Sequence, residues 1–582
     1  MNETLVNWRE WNDETFAEAR RSDKPILLDI GAVWCHWCHR MDADTYAEPQ
    51  IASFINQNFI PIRVDNDRRP DINARYNMGG WPTTAFLTPE GEIITGATYI
   101  PPTQMPRVMN QVVQAYRDNK TALLQQTAEI ARKREEASHA RPRPDARISW
   151  GIVTQIVGSL ARAYDPIYGG FGTEPKFPQA EAYDLLLTEY ANGGRRDQRL
   201  TDMVIKSLST MGAGGMYDQV EGGWFRYSTM RDWSIPHFEK MLEDHAKLLV
   251  TYFDAYQVTR DEQLKSIAVK SLGYLTTVLY DPQRGTFAGS QDADEEYYSL
   301  SLTERRQRTT PFIDWTVYTD WNAMMAHALL IASAALVEPT YRNMALRLLD
   351  YLWATCYDAE VGSLFHFVDS SGPHLPDLLS DLVRLAQANL IAFQFTGDAR
   401  YLEHATTLCR TMQNRLADPD RSGFFDRPDD PTALGALHSR LKPLFENAVA
   451  ADVLITLHHL TGIAEYLRLG ESALLLFADE YDKYDTMAAA YGLAVNRVVN
   501  QPTEIAVVGA MDDLRTQALL TAAWQTYVPW RIVLPLDPVR DAATITARSF
   551  PIQTEPAAFV CRGQTCSAPV TTPLDLVRLL NS

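Results

Sequence analysis

Near the start of the chain, Trp34-Cys35-His36-Trp37-Cys38-His39 combines residue types and a spacing that can do thiol chemistry. Cysteines three residues apart in a helix sit one turn apart, close enough to form and reopen a disulfide. Other readings share the string. It matches the Cys-x-x-Cys-His pattern of covalent haem attachment, it can be half of a zinc site, and two cysteines can simply be packed. Context separates them. The run Ile26-Leu27-Leu28-Asp29-Ile30 is rich in β-formers and reads as a buried strand, whereas His39 to Tyr46 contains no Pro or Gly and reads as helix. Cys35 then lies at or near a helix N-terminus, where free N–H groups and the helix dipole favour an anion. A thiolate is such an anion, so a lowered pKa is expected for Cys35. His36 and His39 add positive charge when protonated, and Cys38 is placed to resolve a mixed disulfide. Haem attachment usually follows export, and Met1-Asn2-Glu3-Thr4-Leu5 has neither the charged nor the apolar region of an export signal. Redox chemistry is the reading this favours.

The elements around the cysteines follow an α/β order. Glu14–Arg21 reads as a helix, and the strand and cysteine helix come next. Glu48–Asn58 has Ile51, Phe54 and Ile55 on one face, Phe59–Val64 reads as a strand, and Met105–Arg117 closes the unit as a helix. Between them lies Gly79-Gly80-Trp81-Pro82-Thr83-Thr84, leading into Ala85-Phe86-Leu87 and the turn Pro89-Glu90-Gly91. This β-α-β unit, followed by a hairpin and a helix, resembles a thioredoxin-like domain. The resemblance implies that Pro82 is cis, faces the cysteine pair and aligns an extended substrate segment. Cys35-His36-Trp37-Cys38-His39-x-Met41, Val64-Asp65, Arg69-Pro70-Asp71 and Gly79-Gly80-Trp81-Pro82 further resemble the thioredoxin domain of the spermatogenesis-associated protein 20 type. That family carries a helical toroid after the domain. Ile72–Met78 is shorter here than the corresponding family segment.

Composition bounds the rest. The chain has 582 residues, enough for two to four domains, with 46% hydrophobic and 22% charged residues. Its net charge of -19 and lack of a long basic tract argue against nucleic acid and anionic membrane as partners. No window reaches the ~20 apolar residues of a membrane span. Six cysteines in such a chain do not make a disulfide scaffold. A reducing cytoplasm is the expected setting, with protein thiols or disulfides as partners and no cofactor or metal.

Residues 1–120 are read as the thioredoxin-like domain and 121–147 as a linker, because Arg141-Pro142-Arg143-Pro144 breaks helix and places a boundary near Pro144. From Ile148 onward the pattern is helical. A loop signature recurs, an Asp followed by Gly and an aromatic residue or Leu: Asp165…Gly170-Phe171, Asp218…Gly223-Trp224, Asp281…Gly285-Thr286-Phe287, Asp358…Gly362-Ser363-Leu364 and Asp418…Gly423-Phe424. Asp482 is a weaker sixth start. Each interval holds two helices. Stacked helical hairpins form an open solenoid or a closed ring; the long irregular period and Gly-rich loops favour an (α/α)6 toroid over 148–482. The expected fold is therefore multidomain: an α/β thioredoxin-like domain, an all-α (α/α)6 toroid, and a small α/β C-terminal extension over 483–582.

Toroids of this sort resemble six-hairpin glycosidases and N-acylglucosamine 2-epimerases, whose sites lie in the central funnel. The resemblance implies funnel roles for Trp224, Arg226, His237, Glu239, Asp292, Asp294, Trp321 and Asn322, and a sugar as ligand. Aromatic faces stack on sugar rings, and carboxylates or His move protons. A structural reading is equally available, since Asp caps loops and Gly-aromatic pairs turn between helices. The chain also departs from the family at Glu295-Glu296-Tyr297-Tyr298, Val317-Tyr318 and Leu441–Asn447. These losses of polar loop residues point to a binding or structural ring rather than a catalytic one.

In the extension, Glu504–Gly509, Asp512–Trp524 and Pro529–Leu534 read as one β-α-β unit. Cys561 and Cys566 can exchange with Cys35 and Cys38, complete a four-thiolate zinc site with them, or be kept by packing. Cys356 and Cys409 lie in helical patterns and read as core. Three functions stay open: a thiol-disulfide oxidoreductase with a toroid as platform, a carbohydrate-active toroid with a redox appendage, and a non-catalytic scaffold.

Overall fold

The computed structural model describes residues 5–138, 145–551, 554–563 and 565–581; the boundary expected near Pro144 lies outside them. The chain forms two compact units, Met1–Ala140 with Phe425–Lys442, and Arg141–Phe424 with Pro443–Ser582.

The first unit is built on β1 (Ile26–Gly31), β2 (Ile60–Asp65), β3 (Thr83–Leu87) and β4 (Ile93–Ala97), in the order β2-β1-β3-β4. β1 runs parallel to β2 and antiparallel to β3. Alternation along β1 sends Ile26, Leu28 and Ile30 to one face, against Phe16 of α1 (Asp13–Ser22) and Ile72 and Tyr76 of α4 (Pro70–Tyr76). Leu27 goes to the other face, where Ile51 and Ile55 of α3 (Pro49–Asn58) and Met109 and Val112 of α5 (Met105–Asp118) cover it. The cysteine helix α2 (His36–Met41) continues through Tyr46 as a wider turn. This is the expected thioredoxin-like layout.

Two features bear on the expected boundaries. The polar helical pattern at the start of the linker stretch is helix α6 (Lys120–Ser138), held at Arg134 by Glu92 at 2.9 Å. Its helix-breaking prolines come only after Ser138, so its polar residues mark a solvated helix face. Residues 425–442, expected within the toroid, complete the first unit's core: Ala433, Ala436 and Leu437 join the cluster of Phe16, Ile72 and Tyr76.

In the second unit, α8 (Ala180–Asn192), α10 (Leu242–Thr259), α14 (Thr319–Leu336), α16 (Leu379–Thr396), α18 (Leu444–Thr461) and α20 (Ala489–Val499) pack in sequence, and α20 packs back on α8. The inner ring is therefore closed. Outside it lie α7 (Trp150–Ala163), α9 (Gln198–Ala213), α11 (Glu262–Tyr274), α15 (Pro339–Cys356), α17 (Ala399–Leu416) and α19 (Ala464–Leu475), with α7 against α20. Short helices α12 (Glu295–Ser299) and α13 (Leu302–Arg305) sit between α11 and α14. This is an (α/α)6 toroid whose last inner helix lies beyond position 482, because first and last helices must pair for the ring to close.

The recurring loop joins each outer helix to the next inner one. In all five clear copies the Asp Oδ1 accepts N–H groups two or three residues on, as from Ile167 and Tyr168 at Asp165, and Val220 and Glu221 at Asp218. The loop's Gly then takes a positive φ, between 65° and 85° across the five. Two copies add a buried lysine. Lys176 Nζ reaches Asp165 at 2.7 Å, and Lys240 Nζ reaches Asp218 at 2.8 Å.

A second repeated device holds the loop aromatic to the fourth residue of the next inner helix. Asn322 accepts from Phe287 N–H at 2.9 Å and donates to its carbonyl at 3.1 Å. Asn447 does the same for Phe424, at 2.8 and 2.9 Å. At Trp224 the role falls to His245, whose Nε2 accepts the Trp224 N–H at 3.0 Å while Nδ1 donates to Met241 O at 2.6 Å. That arrangement needs neutral imidazole, and burial pushes the His245 pKa down to about 3 from 6.5. Between those values the unfolded chain binds the extra proton, so this contribution is complete above pH 6.5 and lost as pH falls. Acidification to about pH 4 is expected to remove on the order of 3 kcal/mol. Thermal unfolding against pH checks this: the acid slope should flatten in His245→Gln.

The C-terminal extension is a second four-stranded sheet, in the order Arg531–Leu536, Thr503–Val508, Ala557–Arg562, Thr565–Cys566. Its first pair is parallel and the rest antiparallel. With α21 (Leu514–Ala522), α22 (Ala542–Ala547) and α23 (Pro573–Asn581) interleaved, it repeats the strand order and directions of the first unit. Asp513, not a cysteine, caps its first helix. Among the described residues no helix is long and apolar enough to cross a membrane.

Candidate functional site

Cys35 is the N-cap of α2, as expected: its Sγ accepts the Cys38 N–H at 3.2 Å and its carbonyl accepts the His39 N–H at 3.1 Å. Cys35 and Cys38 form a disulfide. Cys35 is 4% exposed, and Cys38 is half-buried. A Cβ added at Gly31, where β1 ends, would lie 3.3 Å from Cys38 Sγ, so glycine lets the strand end against the pair. His39 Nε2 meets Val33 O at 3.1 Å, and His36 is half-buried beside the Trp37 ring. The Trp81–Pro82 peptide is cis, as the resemblance implies, and Pro82 precedes β3.

Around the pair is an aromatic rim. Trp37 is 45% exposed and leans on Tyr99 at 5.2 Å. Trp34 is buried, donates Nε1–H to Asp67, and meets Trp81 edge-on at 6.0 Å. Behind the rim Asp29 is buried, bonded to Tyr46 and paired with Arg63 at 2.9 Å; burial raises its pKa. Asp67 and Arg63 were not singled out by sequence, since their partners are remote along the chain. Cys561 and Cys566 lie opposite one another across the last hairpin and form a second disulfide, so each pair closes on itself. Cys356 and Cys409 are buried, and burial pushes both thiols up to about 12.

The toroid has a central cavity of about 270 Å³. None of the eight residues expected in the funnel lines it. Trp224 is core, packed on Tyr217, His245 and Tyr252. Asn322 is the loop staple described above, and Trp321 packs at a tilt against Tyr318, ring centroids 4.5 Å apart. Asp294 caps α12, and the Asp292 carboxylate accepts the next N–H. Arg226, His237 and Glu239 lie in the loop before α10. There His237 stacks on Tyr227 at 4.5 Å, and buried Glu239 stands 3.6 Å from His237 with Oε2 unbonded.

The cavity is lined instead by the inner faces of the six inner helices, three to six residues from each. Lys247 bridges Glu243 at 2.6 Å and Glu181 at 3.6 Å. Arg497 pairs with Asp452 at 2.9 Å. Burial lowers the His327 pKa to about 4, helped by Arg384, and raises that of Asp254 to about 7 against the pull of Arg531. His327 is therefore uncharged at neutral pH. Trp524 to Arg531 closes one end: Gln257 donates to Trp524 O at 2.9 Å, Thr188 meets Tyr527 at 3.1 Å, and Arg497 donates to Pro529 O at 3.2 Å. Sequence reasoning missed these lining residues because each looks like an ordinary polar position on a helix.

Residues 1–135 match the Thioredox_DsbH family, described as a protein of unknown function, DUF255. Human spermatogenesis-associated protein 20 (Homo sapiens) is 25% identical over 713 residues, covering 99% of this chain and 90% of its own. Thioredoxin C-3 of Corynebacterium nephridii is 29% identical over 93 residues, covering 15% of this chain and 60% of its own. Among solved structures, cellobiose 2-epimerase from Spirochaeta thermophila overlaps with a TM-score of 0.47 at 14% identity, over 60% of this chain and 96% of that one. Over almost its whole length the chain is similar to spermatogenesis-associated protein 20, and its N-terminal residues 1–135 match the Thioredox_DsbH family.

Proposed function

We propose that the first unit is a thiol-disulfide oxidoreductase module acting on protein thiols or disulfides. The observation that carries this is the place of Cys35 Sγ at the start of a helix, bonded to the Cys38 N–H. That N–H and the dipole behind it stabilise a thiolate once the disulfide is reduced. The thiolate attacks a substrate disulfide: a Cys35–substrate S–S bond forms, the substrate's own S–S bond breaks, and its leaving sulfur takes a proton from solvent. Cys38 then loses its proton and attacks Cys35 Sγ, forming the Cys35–Cys38 disulfide and releasing the second substrate thiol. Two electrons pass to substrate, and an external dithiol restores the pair. Pro82 aligns the substrate segment, His36 and His39 adjoin the two cysteines in the chain, and Trp37 offers an apolar contact. The test follows thiolate absorbance in the ultraviolet across pH in the reduced chain. Cys35 is expected to ionise below free cysteine; ionisation at or above that value removes the proposal.

A second reading, a sugar-binding or sugar-converting toroid, is favoured by the cavity alone. It is closed at one end by an aromatic segment, holds an uncharged imidazole beside carboxylates, and is about the size of a small sugar. Calorimetry of the full chain against a sugar library tests it. Binding that is lost in His327→Ala supports it, and no binding by the wild-type chain rejects it.

A further inference from the structure

At the N-terminal turns of two inner helices, Asp320 of α14 and Asp381 of α16 converge with His366 from the strand Ser363–Asp369. Each offers one donor atom, and the three atoms lie within 4.8 Å of one another. His366 Nδ1 sits 3.1 and 3.0 Å from the two oxygens of Asp381, and Asp381 Oδ1 also accepts the Asp320 N–H at 3.2 Å. His366 and Asp381 are fully or almost fully buried, and Asp320 is 9% exposed. Asp320 uses one carboxylate oxygen on the Trp321 N–H at 2.8 Å.

From this arrangement we infer that Asp320, His366 and Asp381 form a binding site for one divalent first-row cation. The first reason is charge. Asp381, His366 and Glu243 are among the side chains whose charge acts on Asp320, and Glu243 is engaged by Lys247. A divalent cation set between two closely placed buried carboxylates offsets their mutual repulsion and their loss of water. The second reason is donor chemistry. One imidazole nitrogen with two carboxylate oxygens suits Mn2+ or Zn2+, which accept mixed N and O donors, and leaves positions for water. The third reason is geometry. The ligands come from two helix starts and a strand in one closed ring, so they are held together before any ion arrives. Cys35 with Cys38 and Cys561 with Cys566 are held as disulfides, and the free thiols Cys356 and Cys409 are buried, with pKa values pushed up to about 12.

The experiment titrates Mn2+, then Zn2+, into the full oxidised chain, reading free Mn2+ by electron paramagnetic resonance and heat by calorimetry. The expected result is one ion per chain. Affinity should weaken at least about 100-fold in Asp320→Asn and His366→Gln. Asp320→Asn keeps the backbone bond to Asp381 and so the local fold. Wild-type chain that binds neither ion, or binds neither more tightly than His366→Gln, overturns the inference. The wild-type titration decides even where a variant fails to fold.

Discussion

Replacing Cys35 by Ser should abolish disulfide reductase turnover, by at least about 10³-fold. The attacking atom is lost, and a hydroxyl at the same helix start ionises far too weakly to replace it. Cys38→Ser should fail differently. The first exchange still occurs, but no thiol of the protein reopens the Cys35–substrate bond, so before reductant is added a covalent adduct with substrate accumulates and is visible by mass spectrometry. Turnover of an insulin-type substrate with a dithiol as reductant measures both. Neither substitution should disturb the fold, because both sulfurs lie outside the two apolar clusters that sandwich the sheet. Equal turnover by wild type and Cys35→Ser would remove the redox reading, and circular dichroism confirms that the variant is folded.

Arg75→Ala should destabilise the first unit by roughly 3–5 kcal/mol. The Arg75 side chain is almost wholly buried and pairs with Asp426 at 2.8 Å. It also donates to the carbonyls of Asp71, Ala436 and Ser439 at 2.8 to 3.1 Å. Removing the guanidinium leaves one carboxylate and several carbonyls without their donor inside the protein. Next to it Tyr76 OH donates to Gly91 O at 2.6 Å and accepts the Ala436 N–H at 2.7 Å. A Cβ at Gly435 would stand 2.4 Å from that hydroxyl, so only glycine allows the approach. α4 and residues 425–442 thus share one set of bonds and one apolar cluster, and both should lose amide-exchange protection together in the variant. Protection of 425–442 equal to wild type would show that the segment is held by its own chain neighbours alone.

What could be read from the sequence is what neighbouring residues decide among themselves. The strand before Cys35 and the helix after it follow from composition, and the cap at Cys35 is a contact over three residues. The Asp…Gly-aromatic loops are legible for the same reason: each Asp turns its own next N–H groups, and each Gly supplies a backbone angle other residues avoid. From their recurrence came the helical pairs and the ring. Sequence could not show what occupies the ring. Trp224, Asn322 and Asp294 have the residue types of a binding site, yet they pack a core, staple a loop and cap a helix.

Tertiary structure decided the rest. It took residues 425–442 out of the toroid sequence and set them in the first unit's core. It drew α20 from beyond the last recognisable loop to close the ring. It folded the tail into a second sheet with the strand order of the first, of which only one β-α-β unit is visible in the chain. It also brought Asp320, His366 and Asp381 together from two helices and a strand. The physical reason is common to all four. A local motif is specified by contacts a few residues long, whereas a cavity wall or a ligand cluster takes single residues from many elements. Each contributor carries the pattern of its own helix or strand, and the common purpose exists only once the ring has closed.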